Sequence, residues 1–276
     1  MTVSFTNNDN NVYYARRSRN DAVEGFLLAS LASGAVMRTL PYFSKPFINQ
    51  LKQEHINNKE YVGSLLKGLS DSGLEKLGVT IKNTVFNKED LIKVGTNLEP
   101  LIQDKEIKLG LNATYTPITK RVKLNLDKAS ICGFHELGHA MNNLQGKFGN
   151  VLQKMRYPGY VLAGLMGTIS LFPRKKAKGD KQNVWSFIQD NCAKIAFIGM
   201  LPTVVEEALA SYKGTKLAKA SGVNGSALKN LKRLYGKALI SYIGYAAVTS
   251  LSVYIASKIT EHFTRPKRIE IPSQFY

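Results

Sequence analysis

The run of twenty uncharged residues at 238–257, between Lys237 and Lys258, most constrains how this chain folds. About 20 apolar residues of helix span a bilayer core, so the run predicts a transmembrane helix. Three shorter uncharged runs have thirteen, seventeen and eleven residues, at 25–37, 157–173 and 195–205. For these three, burial in a helical core and contact with a membrane both stay open, and 25–37 favours an amphipathic or membrane-dipping helix.

A second constraint is the pentapeptide His135-Glu136-Leu137-Gly138-His139. On a helix, positions i and i+4 share one face, so both imidazoles can converge on one metal ion. Glu136 then lies beside the ligand face, where a carboxylate can serve as the general base of a hydrolysis. Two of the four histidines of the chain fall in this motif, and small Gly138 and Ala140 allow close packing of the helix. The motif predicts a zinc centre with Glu136 as its catalytic residue.

The residues before the motif predict a strand that leads into its helix. Residues 121–126 alternate apolar and polar side chains, and Asp127 and Ser130 are candidate helix caps. Ile107, Leu109 and Leu111 alternate in the same way and predict a second strand, paired with 122–126 across Pro117. A strand of this kind can pair with an extended peptide when it lies at a sheet edge.

A catalytic zinc ion takes three protein ligands and one water, so a third ligand must come from elsewhere in the chain. His55 and His262 have no motif around them, and Cys132, one turn before the motif, is better explained as a small core residue than as a metal ligand. Glu206 and Glu207 follow an apolar run, where an unpaired carboxylate is costly to bury and a metal ion would offset that cost. The residues themselves leave open which of the two glutamates is the ligand.

Together, the two motifs resemble those of the gluzincin metallopeptidases, in which HExxH pairs with a downstream Glu-x-x-Ala-Asp. Glu207-Ala208-Leu209-Ala210 matches the second motif. The resemblance therefore implies zinc bound by His135, His139 and Glu207, with Glu206 as the alternative. Ser211 stands where the family has an aspartate that supports a ligand histidine, and a serine would orient that imidazole less strongly. The resemblance covers residues 121–211 and implies peptide-bond hydrolysis of a peptide or protein substrate.

The apolar hairpin expected at 157–205 separates the two motifs, an arrangement similar to membrane-embedded gluzincins of the CAAX prenyl protease and heat-shock membrane protease type. Its tip carries five cations between Arg174 and Lys181. Translocating these cations would violate the positive-inside tendency. We therefore expect a hairpin that enters the membrane only partway, with the active site on the cytoplasmic side. Tyr212 is the nearest candidate for stabilising an oxyanion.

Lys and Arg exceed Asp and Glu by eighteen (38 against 20). The basic residues flank apolar segments, and the chain has neither zinc-finger spacing nor an RNA-binding aromatic motif, so an anionic membrane surface is favoured over nucleic acid as the partner. Two cysteines are too few for a disulfide framework, which favours a reducing compartment.

The expected fold class is α+β and mostly helical, with a zincin-like active-site helix, a small sheet or hairpin, and hydrophobic membrane-associated helices. The expected organisation is a polar, loosely ordered 1–24, a helical 25–100, a catalytic 101–237 containing the hairpin 157–205, and a C-terminal helix and basic tail at 238–276. Two other functions stay open. One is a degenerate peptidase that binds zinc without turnover; the other is a basic membrane-surface adaptor in which the motif is coincidental.

Overall fold

A computed structural model describes residues 12–15, 19–55, 58–85, 105–178 and 180–270. This part of the chain is mostly helical with a small three-stranded sheet, which confirms the coarse fold class. Seven long helices are α1 Arg19–Met37, α2 Leu40–Glu54, α3 Lys59–Asp71, α4 Leu126–Gln145, α5 Lys147–Ser170, α6 Val184–Ala220 and α7 Gly225–Thr264. The strands are β1 Val12–Ala15, β2 Thr80–Asn83, β3 Thr114–Thr116, β4 Arg121–Leu124 and β5 Lys267–Glu270.

The chain divides into two compact units. The first unit comprises Met1–Leu40, Tyr157–Leu201 and Gly244–Tyr276. Its strands β1 and β5 pair antiparallel, and α1 begins at Arg19, so both Val12–Ala15 and the start of α1 lie within the segment 1–24 that was expected to be loosely ordered. Helices α5 and α6 come into backbone contact at Gly159, where a Cβ atom would lie 2.0 Å from the carbonyl oxygen of Gly199. Glycine at that position permits the helices of the predicted apolar hairpin to touch.

The second unit comprises Pro41–Arg156 and Pro202–Ile243, and it contains the three-stranded sheet in the order β2-β4-β3. The predicted strand before the motif is confirmed at Arg121–Leu124, where Val122 and Leu124 are fully buried. Strand β4 pairs parallel with β2 and antiparallel with β3. It is therefore the central strand of the described sheet, and it does not meet the condition of lying at a sheet edge.

Residues 107–111 do not form the second strand. Residues 105–108 form a helical turn that ends at Gly110, with φ 72°. The amides of Gly110 and Leu111 donate to the carbonyls of Ile107 and Glu106, the paired hydrogen bonds of a Schellman motif. The strand that pairs across Pro117 is instead Thr114–Thr116. A helical turn with one buried residue, Ile107, thus produced the same alternation as a strand.

The start of α4 is fixed by asparagines. The Asn125 side chain accepts from the amides of Asp127 and Lys128, each at 3.1 Å, so Asn125 is the N-cap and the expectation of Asp127 or Ser130 is wrong. Asn58 accepts from the amide of Ile131 and donates to the carbonyl of Lys128. These two bonds bracket the non-helical backbone at Ala129 (φ −133°, ψ 21°), where the helix axis changes direction.

The apolar face of α4 lies in the core of the second unit. Ile131, Phe134 and Leu137 are fully buried, and they belong to one cluster with residues of α3, the sheet, the end of α6 and the start of α7. Cys132 is a buried member of this cluster, as a small core residue is expected to be. The motif helix is therefore anchored through its apolar face in the core of the second unit.

Two segments among the described residues are long and apolar enough to cross a membrane, Arg19–Glu54 and Gly225–Thr264. The second contains the run at 238–257. Only 11% and 28% of their apolar windows are buried, so most of these side chains do not serve as protein core. Leu31 on α1, for example, is 71% exposed.

Candidate metal centre

Two glycines let α4 and α6 approach closely. A Cβ atom at Gly138 would lie 2.1 Å from the carbonyl oxygen of Ala210, and one at Gly214 would lie 2.4 Å from that of Phe134. No larger residue fits without separating the helices. The close packing expected from Gly138 is therefore present, and it places the glutamates of α6 against the histidines of α4.

Three side chains point their donor atoms at one another. The Nε2 atoms of His135 and His139 lie 3.0 Å apart. The Oε2 atom of Glu207 lies 3.0 Å from the first and 3.5 Å from the second. The structure thus brings together the three residues that the motifs predict as ligands. Of the two glutamates, Glu207 is the one that faces both Nε2 atoms.

The opposite nitrogen of each imidazole also has a partner. The Nδ1 atom of His139 lies 2.8 Å from Oε1 of Glu206, and that of His135 lies 3.1 Å from the hydroxyl oxygen of Ser211. A hydrogen bond at the rear nitrogen fixes the tautomer and the orientation of a metal-binding imidazole. The hydroxyl of Ser211 thus gives His135 a neutral partner at its rear nitrogen, while Glu206 gives His139 a carboxylate partner.

Arg156 bridges the two glutamates. Its Nη1 lies 2.8 Å from Oε2 of Glu206, and its Nη2 lies 2.7 Å from Oε1 of Glu207. Asn142 donates to Oε1 of Glu206 at 2.9 Å. Both carboxylates are almost completely buried, with side-chain exposures of 0% and 1%, so these partners offset a large desolvation cost. The arginine leaves Oε2 of Glu207 directed at the histidines.

Glu136 is buried beside this cluster, with 7% of its surface exposed. Burial raises the pKa of its carboxyl group, and the nearby histidines and a hydrogen bond from the backbone of Tyr115 oppose this rise in pKa. Tyr115 lies on β3, so the sheet contributes directly to the position of Glu136.

The buried charges shift one another's pKa values. Burial alone would lower the pKa of His139, but Glu207 and Glu206 outweigh it and raise that pKa well above its usual range. Burial alone would raise the pKa of Glu207, yet the charge of His139 and the hydrogen bond from His135 hold it well below its usual range. The pKa of Glu206 is lowered for similar reasons, with Asn142 and Arg156 contributing. The electrostatics therefore keep both glutamates ionised.

Other residues considered from the sequence lie outside this cluster. Tyr212 is 56% exposed and its ring packs under the Lys216 ammonium, at 4.6 Å from the ring centroid. His55 contacts the carbonyl of Gly110, and His262 is exposed. Tyr235, to which no sequence motif pointed, lies with its ring centroid 5.3 Å from that of His135.

Sequence reasoning also missed Arg156, Asn142 and the supporting role of Glu206. Arg156 is the charge that precedes the uncharged run at 157–173. Arg156 directly precedes the predicted hairpin, and Glu206 and Glu207 follow its end. Opposite charges at the two ends of a hairpin could have predicted an ion pair between them.

The donor set fits a tetrahedral metal ion. Metal–ligand bonds of about 2.0–2.1 Å require ligand atoms about 3.3 Å apart, close to the three observed separations. Buried His135, Glu136 and His139, and buried His139, Glu206 and Glu207, form two overlapping groups that could hold a metal ion. In comparisons with known proteins, no family model, no curated protein and no solved structure matches the chain.

Proposed function

We propose that this protein is a membrane-associated, zinc-dependent metalloendopeptidase of the gluzincin type. The observation that carries the proposal is the triangle of His135 Nε2, His139 Nε2 and Glu207 Oε2, with edges of 3.0, 3.0 and 3.5 Å. Two nitrogens and one carboxylate oxygen with a fourth position open to water are the ligand set of hydrolytic rather than structural zinc sites. A zinc ion held there would act as a Lewis acid that activates water and polarises a carbonyl group.

Glu136 is proposed as the proton carrier. Its carboxylate takes a proton from the attacking water and later delivers it to the leaving amine. Burial raises the pKa of Glu136, and a stronger base holds the transferred proton more readily at neutral pH. The backbone hydrogen bond from Tyr115 and the nearby imidazoles hold the carboxylate of Glu136 in position for this transfer.

Strand β3 is proposed to align the substrate. It lies at one edge of the sheet, and its residue Tyr115 contacts Glu136 through the backbone. An extended peptide that adds to a sheet edge is bound through its main chain, so its scissile bond can be positioned with little dependence on side chains. The edge next to the site is therefore β3 and not β4.

The membrane is proposed as the cover for the exposed apolar helices. Segments 19–54 and 225–264 have the length and composition to span it, and large apolar side chains such as Phe26, Leu31 and Leu251 are exposed. The net charge of +18 favours an anionic, cytoplasmic lipid face over nucleic acid. On this proposal the metal centre works on the cytoplasmic side.

Glu136→Gln tests the proposal most directly. We expect the purified variant to keep about one zinc ion per chain and to lose peptidase activity by about 10²–10⁴-fold, because the amide cannot accept a proton. Casein cleavage and metal analysis measure the two quantities. Zinc without activity in the unmodified protein would support the degenerate peptidase raised by Ser211. A protein purified without zinc would support the adaptor and contradict the proposal.

A further inference from the structure

The first unit contains a cavity of about 560 Å³ that the metal chemistry does not use. It lies among the 171–183 connector, the start of α6 and the end of α7. Its lining carries six cations and three acids, namely Arg174, Lys175, Lys176, Lys178, Lys258 and Arg265 against Asp180, Asp190 and Glu261. We refer to it as the basic pocket. Its volume is in the range of small-molecule sites.

Arg174 is the buried cation of the basic pocket, with 2% of its side chain exposed. Its Nη2 donates to the carbonyl of Gln189 at 2.9 Å and to the hydroxyl of Ser257 at 2.6 Å. Within the described part of the chain, its Nε and Nη1 atoms have no hydrogen-bond acceptor. The nearest carboxylate oxygen, on Asp190, is 3.9 Å from Nε. A buried guanidinium with two unused donor atoms calls for an acceptor from outside the protein.

The acids of the basic pocket are already engaged. Asp190 accepts a hydrogen bond from Arg265. Glu261 pairs with Lys258 at 2.8 Å and with Arg265 at 3.3 Å. Asp180 accepts from the backbone amide of Ala177 and so shapes the connector. The three carboxylates therefore hold residues of the pocket lining in place. The exposed Lys175 and Lys178 add positive charge at the rim of the basic pocket.

An aromatic pair marks one side of the basic pocket. The rings of Phe172 and Trp185 meet edge to face at 6.2 Å between centroids, and both side chains are nearly half exposed. Tryptophan is enriched where a membrane meets water. The connector also follows the uncharged run at 157–173, so an apolar stretch and a cluster of cations meet within a few residues. A ligand with an anionic head and an apolar body matches this surface better than a wholly soluble anion.

We propose that the basic pocket binds the phosphate group of an anionic phospholipid headgroup. Arginine recognises phosphate through paired N–H donors, and basic pockets between membrane helices are a known mode of headgroup binding. Arg174 supplies the buried donors, while Lys175 and Lys178 attract the anion from the rim. This site is independent of the proposed peptidase activity.

The experiment uses Trp185, the single tryptophan of the chain, as its probe. The full-length protein in detergent is titrated with mixed micelles containing phosphatidylglycerol, with matched micelles containing phosphatidylcholine, and with inorganic phosphate alone. We expect a saturable change in Trp185 emission with phosphatidylglycerol only, and we expect inorganic phosphate to compete with it weakly. A response to inorganic phosphate that phosphatidylglycerol does not reproduce would overturn the lipid assignment in favour of a soluble phosphate.

Lys175→Gln/Lys178→Gln is the test variant, because both side chains are exposed whereas Arg174 also holds Gln189 and Ser257. We expect its affinity for phosphatidylglycerol to fall by about tenfold or more. Lys229→Gln/Lys232→Gln removes two exposed charges from α7 outside the basic pocket, and it should bind as the unmodified protein does. Equal weakening in both double variants, or no emission change with any probe, would overturn the proposal.

Discussion

The candidate metal centre and the basic pocket each place an arginine beside carboxylates, but the two arginines differ in how their charge is satisfied. In the metal centre, Arg156 spans Glu206 and Glu207 at 2.8 and 2.7 Å, and each histidine has a partner for its rear nitrogen. In the basic pocket, two donor atoms of Arg174 lack an acceptor among the described residues, and the carboxylate nearest to its Nε lies 3.9 Å away.

This difference indicates which kind of ligand each site can bind. The candidate metal centre directs the Nε2 atoms of two histidines and one carboxylate oxygen at a point, a donor set that suits a small cation. The basic pocket presents spare donors and excess positive charge over a larger volume, which suits a polyatomic anion. In both cases, the unused bonding capacity of a buried group identifies the missing partner better than net charge does.

Replacing a proposed ligand should give the largest effect and should separate the two sites. His139→Ala removes one of three ligands, so we expect zinc affinity to fall by more than about 100-fold, with no measurable peptidase activity. The response of Trp185 to phosphatidylglycerol should stay unchanged. His262→Ala, at an exposed position, is the matched control and should keep its zinc. Metal analysis and chelator competition measure the result, and full zinc content in His139→Ala would remove it from the site.

Gly138→Ala should break the metal centre without touching a ligand. The added methyl group would lie 2.1 Å from a backbone oxygen of α6, which cannot rotate away. We expect the free energy of unfolding to fall by about 3 kcal/mol or more, with loss of zinc as the helices separate. Gly63→Ala is the control, because its Cβ atom meets nothing within 4 Å on an exposed helix position, and it should stabilise the protein by about 0.5–1 kcal/mol. Equal stability of both variants in urea titrations would contradict close packing at Gly138.

The mostly helical fold, the strand before the motif and the meeting of His135, His139 and Glu207 could be predicted from the sequence. Each depends on spacing within one element or on a pair of motifs. The N-cap of α4 could not be predicted, because asparagine and aspartate are both good caps. The choice of Asn125 over Asp127 depends on a hydrogen bond that Asn125 also donates to the carbonyl of Lys108. The second strand was misplaced because a short helical turn ended by Gly110 shows the same alternation as a strand.

The network around the metal centre lay beyond sequence reasoning for a different reason. Glu206 and His139 are 67 residues apart, and their contact exists only because Gly138 and Gly214 bring two helices together. Glu206 and Glu207 are adjacent on α6, yet they lie on opposite sides of the His139 imidazole. Adjacent helix positions differ by about 100° in direction, so they cannot serve the same face.

Glu206→Gln should have a smaller effect than loss of a ligand. The 2.8 Å contact between Glu206 and His139 leads us to expect zinc affinity to fall by about 10–100-fold. The amide keeps the shape and loses the charge that supports the imidazole. Glu207→Gln is the comparison and should lose more. Equal loss in the two variants would show that both glutamates reach the metal, and no loss in Glu206→Gln would contradict its supporting role.

Ser211 should give the smallest effect, and its two replacements test the family resemblance itself. Its hydroxyl contacts Nδ1 of His135 at 3.1 Å, while its backbone carbonyl separately accepts from Thr215 and survives substitution. Ser211→Ala should weaken zinc binding by less than about tenfold, because a neutral hydroxyl polarises an imidazole less than a carboxylate does. Ser211→Asp introduces the aspartate that gluzincins have after this motif, and we expect it to tighten zinc binding by a comparable factor. Chelator competition on both variants measures the difference. If neither substitution changes the affinity, the hydroxyl does not orient His135, and the support of the candidate metal centre comes from Glu206 and its partners Arg156 and Asn142.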